Sequence, residues 1–267
     1  MAIRNDLINL KLIIEYDGKN YFGWQKQKSP QAQSANSAKP TIQQTIEQSL
    51  QVLFNGEKIQ LIGSGRTDSG VHAFNQCANV KLNRRALEKF GVNSNGFNKL
   101  AYSLNSMMPD DIVVKKIIRA KDDFHARYSA KERTYEYCLT TEKHALNGDK
   151  LYYIKTKFDI DLAEEFCKLL IGYRSFKSLC KNKSDEYGYK CDVTHASVRK
   201  LKGGIIKFEI RASRFLHSMI RAVVGVMINV ASGKISLKEF HSKFKKGEEI
   251  KSQYVPAKAL FLTKVKY

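Results

Sequence analysis

Apolar positions along the chain recur with two periods, and the change from one to the other outlines the elements. Residues 10–16, LKLIIEY, make an apolar run of strand length, followed by the breakers Gly18 and Gly23. Ile42, Ile46, Leu50 and Leu53 then recur at helical spacing. Thr41 is an N-cap candidate with Gln44 as capping-box partner, and Asn55-Gly56 supplies residues that tolerate a left-handed stop. Residues 59–63, IQLIG, read as a short strand, and Phe74, Ala78, Val80 and Leu82 continue at strand spacing. IVVKKIIR at 112–119 predicts another strand. Alternation over 133–140 puts Arg133, Tyr135, Tyr137 and Leu139 on one face. A helix over 161–172 ends in glycine, and a strand over 205–213 carries Ile206, Phe208, Ile210 and Ala212 on one face. A mostly apolar helix is expected over 215–233, then a helix near 237–245 and a closing strand, LFLTKVKY.

These strands and helices interleave without the regular period of a parallel βαβ sheet. Several strands are short and successive, so the pattern predicts an α+β protein with a mixed or antiparallel sheet and helices on one side. Strand-helix-strand order occurs in both halves, which allows two similar lobes. The polar stretch RAKDDF suggests a boundary near 120–124, giving an N-terminal lobe over 1–122 and a C-terminal lobe over 123–267. Residues 29–40 are small, polar and proline-bounded, the composition of a loop or insertion.

Composition narrows the partners. Of 267 residues, 43% are hydrophobic and 10% aromatic, which suits a folded globular chain. Lys and Arg number 46 against 26 Asp and Glu, a net charge of +20, which favours polyanionic partners over a neutral surface. The opening stretch, with Asp6 and Lys11 and no small-residue cleavage site, does not read as a secretory signal. The longest apolar run, 219–231, is interrupted by Arg221 and Asn229, so no membrane partner is expected. Five cysteines without a C-x-x-C pair argue against a disulfide framework or a zinc knuckle and suit a reducing cytoplasm.

Candidate chemistry concentrates in Gly63–Ala73, GSGRTDSGVHA, which holds an acid, a base and an imidazole among glycines. Asp68 follows a strand end and precedes Gly70, a place where a loop on a rigid scaffold presents a carboxylate. An Asx-type surface turn explains the same residues. Arg66 can steady that carboxylate or grip a phosphate. Arg221 sits inside an apolar helix, where it needs an anionic partner, with Asp68 a candidate, or a path to solvent. Tyr135, beside Arg133 and Tyr137, can stack on an unstacked base or belong to a core aromatic pair. His125 and Arg127 lie just upstream in FHARYSA. The sequence holds no Walker loop and no G-x-S-x-G elbow, and the Gly63–Ala73 motif offers one carboxylate where a two-metal site needs a cluster, so no metal and no cofactor are expected.

Six segments in order resemble the tRNA pseudouridine synthases of the TruA type. They are YDGKNYFGWQKQ (16–27), TIQQTIEQSL (41–50), GRTDSGVHAFNQ (65–76), FHARYSAKERTYEY (124–137), FLHSMIRAVVG (215–225) and VPAKALFLTKVKY (255–267), and they span nearly the whole chain from residue 10. The resemblance implies two α+β lobes whose mixed, largely antiparallel sheets join into a central sheet, with the catalytic cleft between the lobes. It implies isomerisation of uridine to pseudouridine at positions 38–40 of the tRNA anticodon stem-loop, without a cofactor, by a cytoplasmic homodimer. It makes Asp68 the catalytic aspartate, Tyr135 the tyrosine that packs on the target base, Arg221 the arginine that pairs with the aspartate, and Arg66 an RNA-contacting arginine. His72 is then expected to be structural.

The sequence departs from the family pattern at Ser69, where alanine is usual, at Met107-Met108-Pro109, at Ala259-Leu260 and in the long 29–40 loop. The competing reading is a non-catalytic tRNA-binding protein or RNA chaperone built on the same fold.

Overall fold

A computed structural model describes residues 6–26, 39–91, 93–181, 188–251 and 253–267. Most of the 29–40 loop lies outside the described residues. The chain divides into two compact units, one comprising residues 1–131 and 264–267, the other residues 132–263. The architecture is α+β.

In the first unit, strand β1 (Leu7–Tyr16) is central and antiparallel to both β3 (His72–Asn83) and β4 (Ile112–Arg119). The two-residue strand β2 (Ile62–Gly63) pairs with β3 opposite Asn79 and Ala78. Of the expected strand over 59–63 only this end pairs. Leu61 is buried all the same, and its N–H goes to the Glu47 carboxylate instead of a ladder. β1 buries Ile8, Leu10, Leu12, Ile14 and Tyr16, the period-2 set. Helix α1 (Ile42–Leu53) begins as expected, with Thr41 Oγ1 accepting the Gln44 N–H at 3.2 Å. It buries Ile42, Ile46 and Leu50. A short helix α2 (Arg84–Glu88) leads to α3 (Ser94–Asn105), which packs on β4 and buries Phe97, Leu100, Ala101 and Leu104.

The second unit holds β5 (Glu132–Thr140), β6 (Tyr152–Tyr153), β7 (Gly172–Ser175), β8 (Lys190–Lys200), β9 (Ile205–Ala212) and most of β10 (Leu260–Lys266). The strands run β10-β5-β9-β8-β7. β5–β9, β9–β8 and β8–β7 are antiparallel, while β6 lies parallel to β5. Helices α4 (Ile160–Leu170), α5 (Met219–Ala231) and α6 (Leu237–Lys246) cover it, α4 packing on β8, α5 and α6. The rings of Phe166 and Phe240 sit 4.5 Å apart, and Phe244 joins Phe240 and Phe176 at 5.3 Å each. The helix expected from 215 begins at Met219. Ser218 takes φ +56°, so Phe215–Ser218 form a turn ahead of α5.

All five cysteines are free thiols. Burial raises Cys77, Cys138 and Cys167 above their ordinary range, Cys138 to about 11 and Cys167 to about 12. No helix among the described residues is long and apolar enough to cross a membrane.

Candidate active site

The loop from Ser64 to Val71 connects β2 to β3, and backbone requirements explain its shape. Ser64 N–H continues the β2–β3 ladder by donating to Cys77 O at 2.7 Å. Gln76 is fully buried in β3. Its Oε1 accepts from Ser64 Oγ at 2.6 Å, and its Nε2 donates to Gly65 O at 3.1 Å. One amide thus satisfies two groups at the root of the loop. At the far end Val71 N–H closes a turn onto Asp68 O at 3.2 Å, with Gly70 at φ +78°. Between these ends Arg66 is exposed, Thr67 buried and Asp68 half-buried. The turn that the sequence predicts is present, and Asp68 stands in it with its backbone carbonyl bonded.

The segment between β1 and α1 grips the loop from the side. Tyr16 OH and Thr67 Oγ1 are 2.9 Å apart and both buried. Trp24 N–H donates to Thr67 O at 3.2 Å. Gly23, at φ +79°, approaches so closely that a Cβ there would stand 2.4 Å from Thr67 O. A Cβ on Gly63 would strike the Trp24 indole at 2.3 Å, and one on Gly18 would strike Val71 O at 2.0 Å. Ser69, the departure from alanine, uses its hydroxyl to donate to Tyr21 O at 3.0 Å. His72 is buried. Its Nδ1 lies 3.1 Å from the Gly18 N–H, which donates to it, and 3.0 Å from Asp17 Oδ1. Its contacts anchor the start of β3 to the β1 exit, a structural position.

Helix α1 holds this clamp in turn. Gln43 N–H donates to Trp24 O, Gln43 Oε1 accepts from Lys26 N–H, and Gln43 Nε2 donates to Leu61 O and to Glu47 Oε1. Glu47 Oε1 also accepts the Leu61 N–H at 2.9 Å. This buried polar network is connected throughout, the condition under which such groups rigidify a core. The sequence reading passed over Tyr16, Trp24, Gln43, Glu47 and Gln76. Of these, Gln76 carried a signal, a polar residue in phase with the strand set Phe74, Ala78, Val80 and Leu82.

In the second unit Tyr135 lies on β5, opposite Ile210 of β9 and 7% exposed. Its ring meets Phe215 edge-on, centroids 5.1 Å apart. Tyr137, on the same face, is fully buried and donates to Pro256 O at 2.7 Å. Burial raises its phenol above the ordinary range, against the nearby Arg221 cation. Arg133 donates from Nη1 to Ser213 O at 2.7 Å. Arg221, in the first turn of α5, is half-buried, and its Nε donates to Val255 O at 2.8 Å. One turn further, a Cβ on Gly225 would lie 2.1 Å from Gln253 O. The 253–256 segment therefore presses on the α5 face that carries Arg221.

Each expected residue thus has a defined setting within its own unit. Arg66 and Asp68 belong to a clamped loop of the first, and Tyr135 and Arg221 to packed elements of the second.

A family model described as tRNA pseudouridine synthase matches residues 12–129 and 166–267. The chain is 36% identical over 262 residues to the tRNA pseudouridine synthase A of Acetivibrio thermocellus, covering 97% of this chain and 99% of that protein. The protein of the same name from Caldicellulosiruptor bescii is 37% identical over 236 residues, covering 85% and 86%. That from Parabacteroides distasonis is 35% identical over 257 residues, covering 96% and 94%.

Proposed function

The chain belongs to the tRNA pseudouridine synthase family, and from that premise we propose that it isomerises uridine to pseudouridine at positions 38–40 of the tRNA anticodon stem-loop, with Asp68 as the catalytic carboxylate. The reaction breaks the N1–C1′ bond, turns the base and joins C5 to C1′. The C5 proton leaves and N1 gains one, so nothing is consumed. Such chemistry asks for an anionic group facing the sugar or the ring, a surface that holds the freed base, and electrostatic support for the carboxylate. Asp68 supplies the first, Tyr135 the second and Arg221 the third, with Arg66 on the RNA backbone. A stacked uridine must leave its helix to be reached, as with other enzymes that work on a base. We further propose that the protein acts as a cytoplasmic homodimer, in keeping with its free thiols and the bacterial members it resembles.

The observation that carries this reading is the clamp on the Asp68 loop. Three glycine approaches and a buried amide fix the backbone of the loop that carries the half-buried Asp68, which is more structure than a surface turn requires. Tritium release from C5-labelled uridine in tRNA tests it. The wild type should release tritium; Asp68→Asn should bind tRNA and release none. Binding without release by the wild type would favour the non-catalytic RNA-binding alternative.

A further inference from the structure

Phe74 stands two residues past the buried His72, on the strand that leaves the Asp68 loop, and is 45% exposed. Its neighbours Ala73 and Gln76 are buried. Tyr16 pairs with Ala73 and Ile14 with Gln76, so Phe74 and Asn75 together face the single residue Glu15. A bulge of this kind bends the strand and re-aims a side chain, and bulges concentrate beside active sites. The other arm of the loop passes the same place. Gly65 O is bonded to the Gln76 side chain, and the exposed Arg66 follows it directly. Glu15, the acid opposite the bulge, is paired with Lys115 Nζ at 3.1 Å, which reduces its repulsion of a phosphate chain.

An exposed aromatic ring on a rigid strand, in the same loop-and-strand unit as the exposed Arg66, on a chain of net charge +20, matches the surface that holds unpaired nucleotides. A uridine that leaves its stack also deprives its neighbour of a partner, and a flat apolar surface at that place restores one. We infer that Phe74 is a positioning residue for the RNA: its ring stacks on the base of the nucleotide next to the target uridine. This rests on the pseudouridine synthase reading. The mechanism needs no chemistry from Phe74, so the role shows in substrate binding more than in turnover.

The test compares Phe74→Ala, Phe74→Leu, Phe74→Tyr and Phe74→Trp in the tritium-release assay, with thermal melts for each. Alanine and leucine should raise KM for tRNA roughly tenfold, the scale of one lost base–aromatic stack. Tyrosine and tryptophan should restore it to within about twofold, with KM moving more than kcat throughout. Leucine keeps apolar bulk without a π-face, so it separates stacking from packing even where alanine lowers stability. Leucine restoring KM as well as tyrosine, or a loss confined to kcat, would overturn the inference. An active wild type with an unaffected Phe74→Ala overturns the inference alone; an inactive wild type overturns the synthase reading beneath it.

Discussion

Asp68 was legible as a candidate because it follows a strand end on a glycine-framed loop, although an ordinary turn explains the same residues and only the six-segment resemblance favours a site. What fixes it was not, since the clamp consists of contacts between residues far apart in sequence. Tyr16 reads as a strand end, and Trp24 as an isolated aromatic after a breaker. Nothing in a local period announces that Thr67 bonds to both. Gly23 was visible only as a breaker, yet its missing Cβ admits the loop. An alanine there would pay for a left-handed conformation, about 1 kcal/mol, and would also meet Thr67 O at 2.4 Å and the Asp68 carbonyl carbon at 3.0 Å. Backbone is hard to move, so the loop must shift. Gly23→Ala should lower stability by roughly 1–3 kcal/mol. It should also reduce kcat by about 10²-fold, the usual scale for a carboxylate displaced by an ångström. Urea melts and single-turnover tritium release measure the two effects. A variant with wild-type turnover would show that the Gly23 approach does not position Asp68.

At the scale of elements, the period was reliable where it stayed in phase. β1, α1, β4, β5, β9, α6 and β10 lie where the apolar pattern puts them, within a residue or two at most ends. It was lost where the backbone breaks phase. β8 buries Cys191 and Val193, then Ala196 and Val198, because a bulge between Val193 and His195 inserts a residue and cancels the alternation. α3 is not announced by its residues because Asn95, Gly96 and Asn98 are poor helix formers. Gly96 is needed there, since a Cβ would stand 1.8 Å from Gly91 O. Gly225 poses the same question within α5. On helix propensity alone, alanine would gain about 1 kcal/mol. A Cβ 2.1 Å from Gln253 O reverses the sign, because overpacking against backbone costs about 1–3 kcal/mol. Gly225→Ala should therefore be destabilising, by up to about 2 kcal/mol. It should also push the 253–256 segment off α5, weakening the Arg221–Val255 bond and lowering kcat. A stabilised, fully active variant would remove the proposed role of that contact in seating Arg221.

At the scale of the whole molecule, composition gave the sign of the partner but not where it sits. The excess of 46 cations over 26 acids is a sequence fact. The placement of exposed cations is not, and both units carry them: Lys81, Lys116 and Arg119 in the first, Lys177, Lys190 and Lys251 in the second. Ion pairs such as Lys115–Glu15 and Lys243–Glu239 cancel one charge of each sign, so they leave the excess of +20 unchanged. A protein that covers about 6–10 tRNA phosphates with such groups releases a comparable number of counterions. The logarithm of Kd should then rise linearly with the logarithm of salt, with a slope of about 5–9. The chemical step involves groups held within the protein, so kcat at saturating tRNA should change far less than KM over the same range. Filter binding and steady-state assays between about 50 and 200 mM potassium chloride separate the two. A flat Kd would mean that the net charge is a property of the surface at large and that recognition rests on shape and stacking. A kcat that falls in step with rising Kd would mean instead that the charges act on the bound uridine itself.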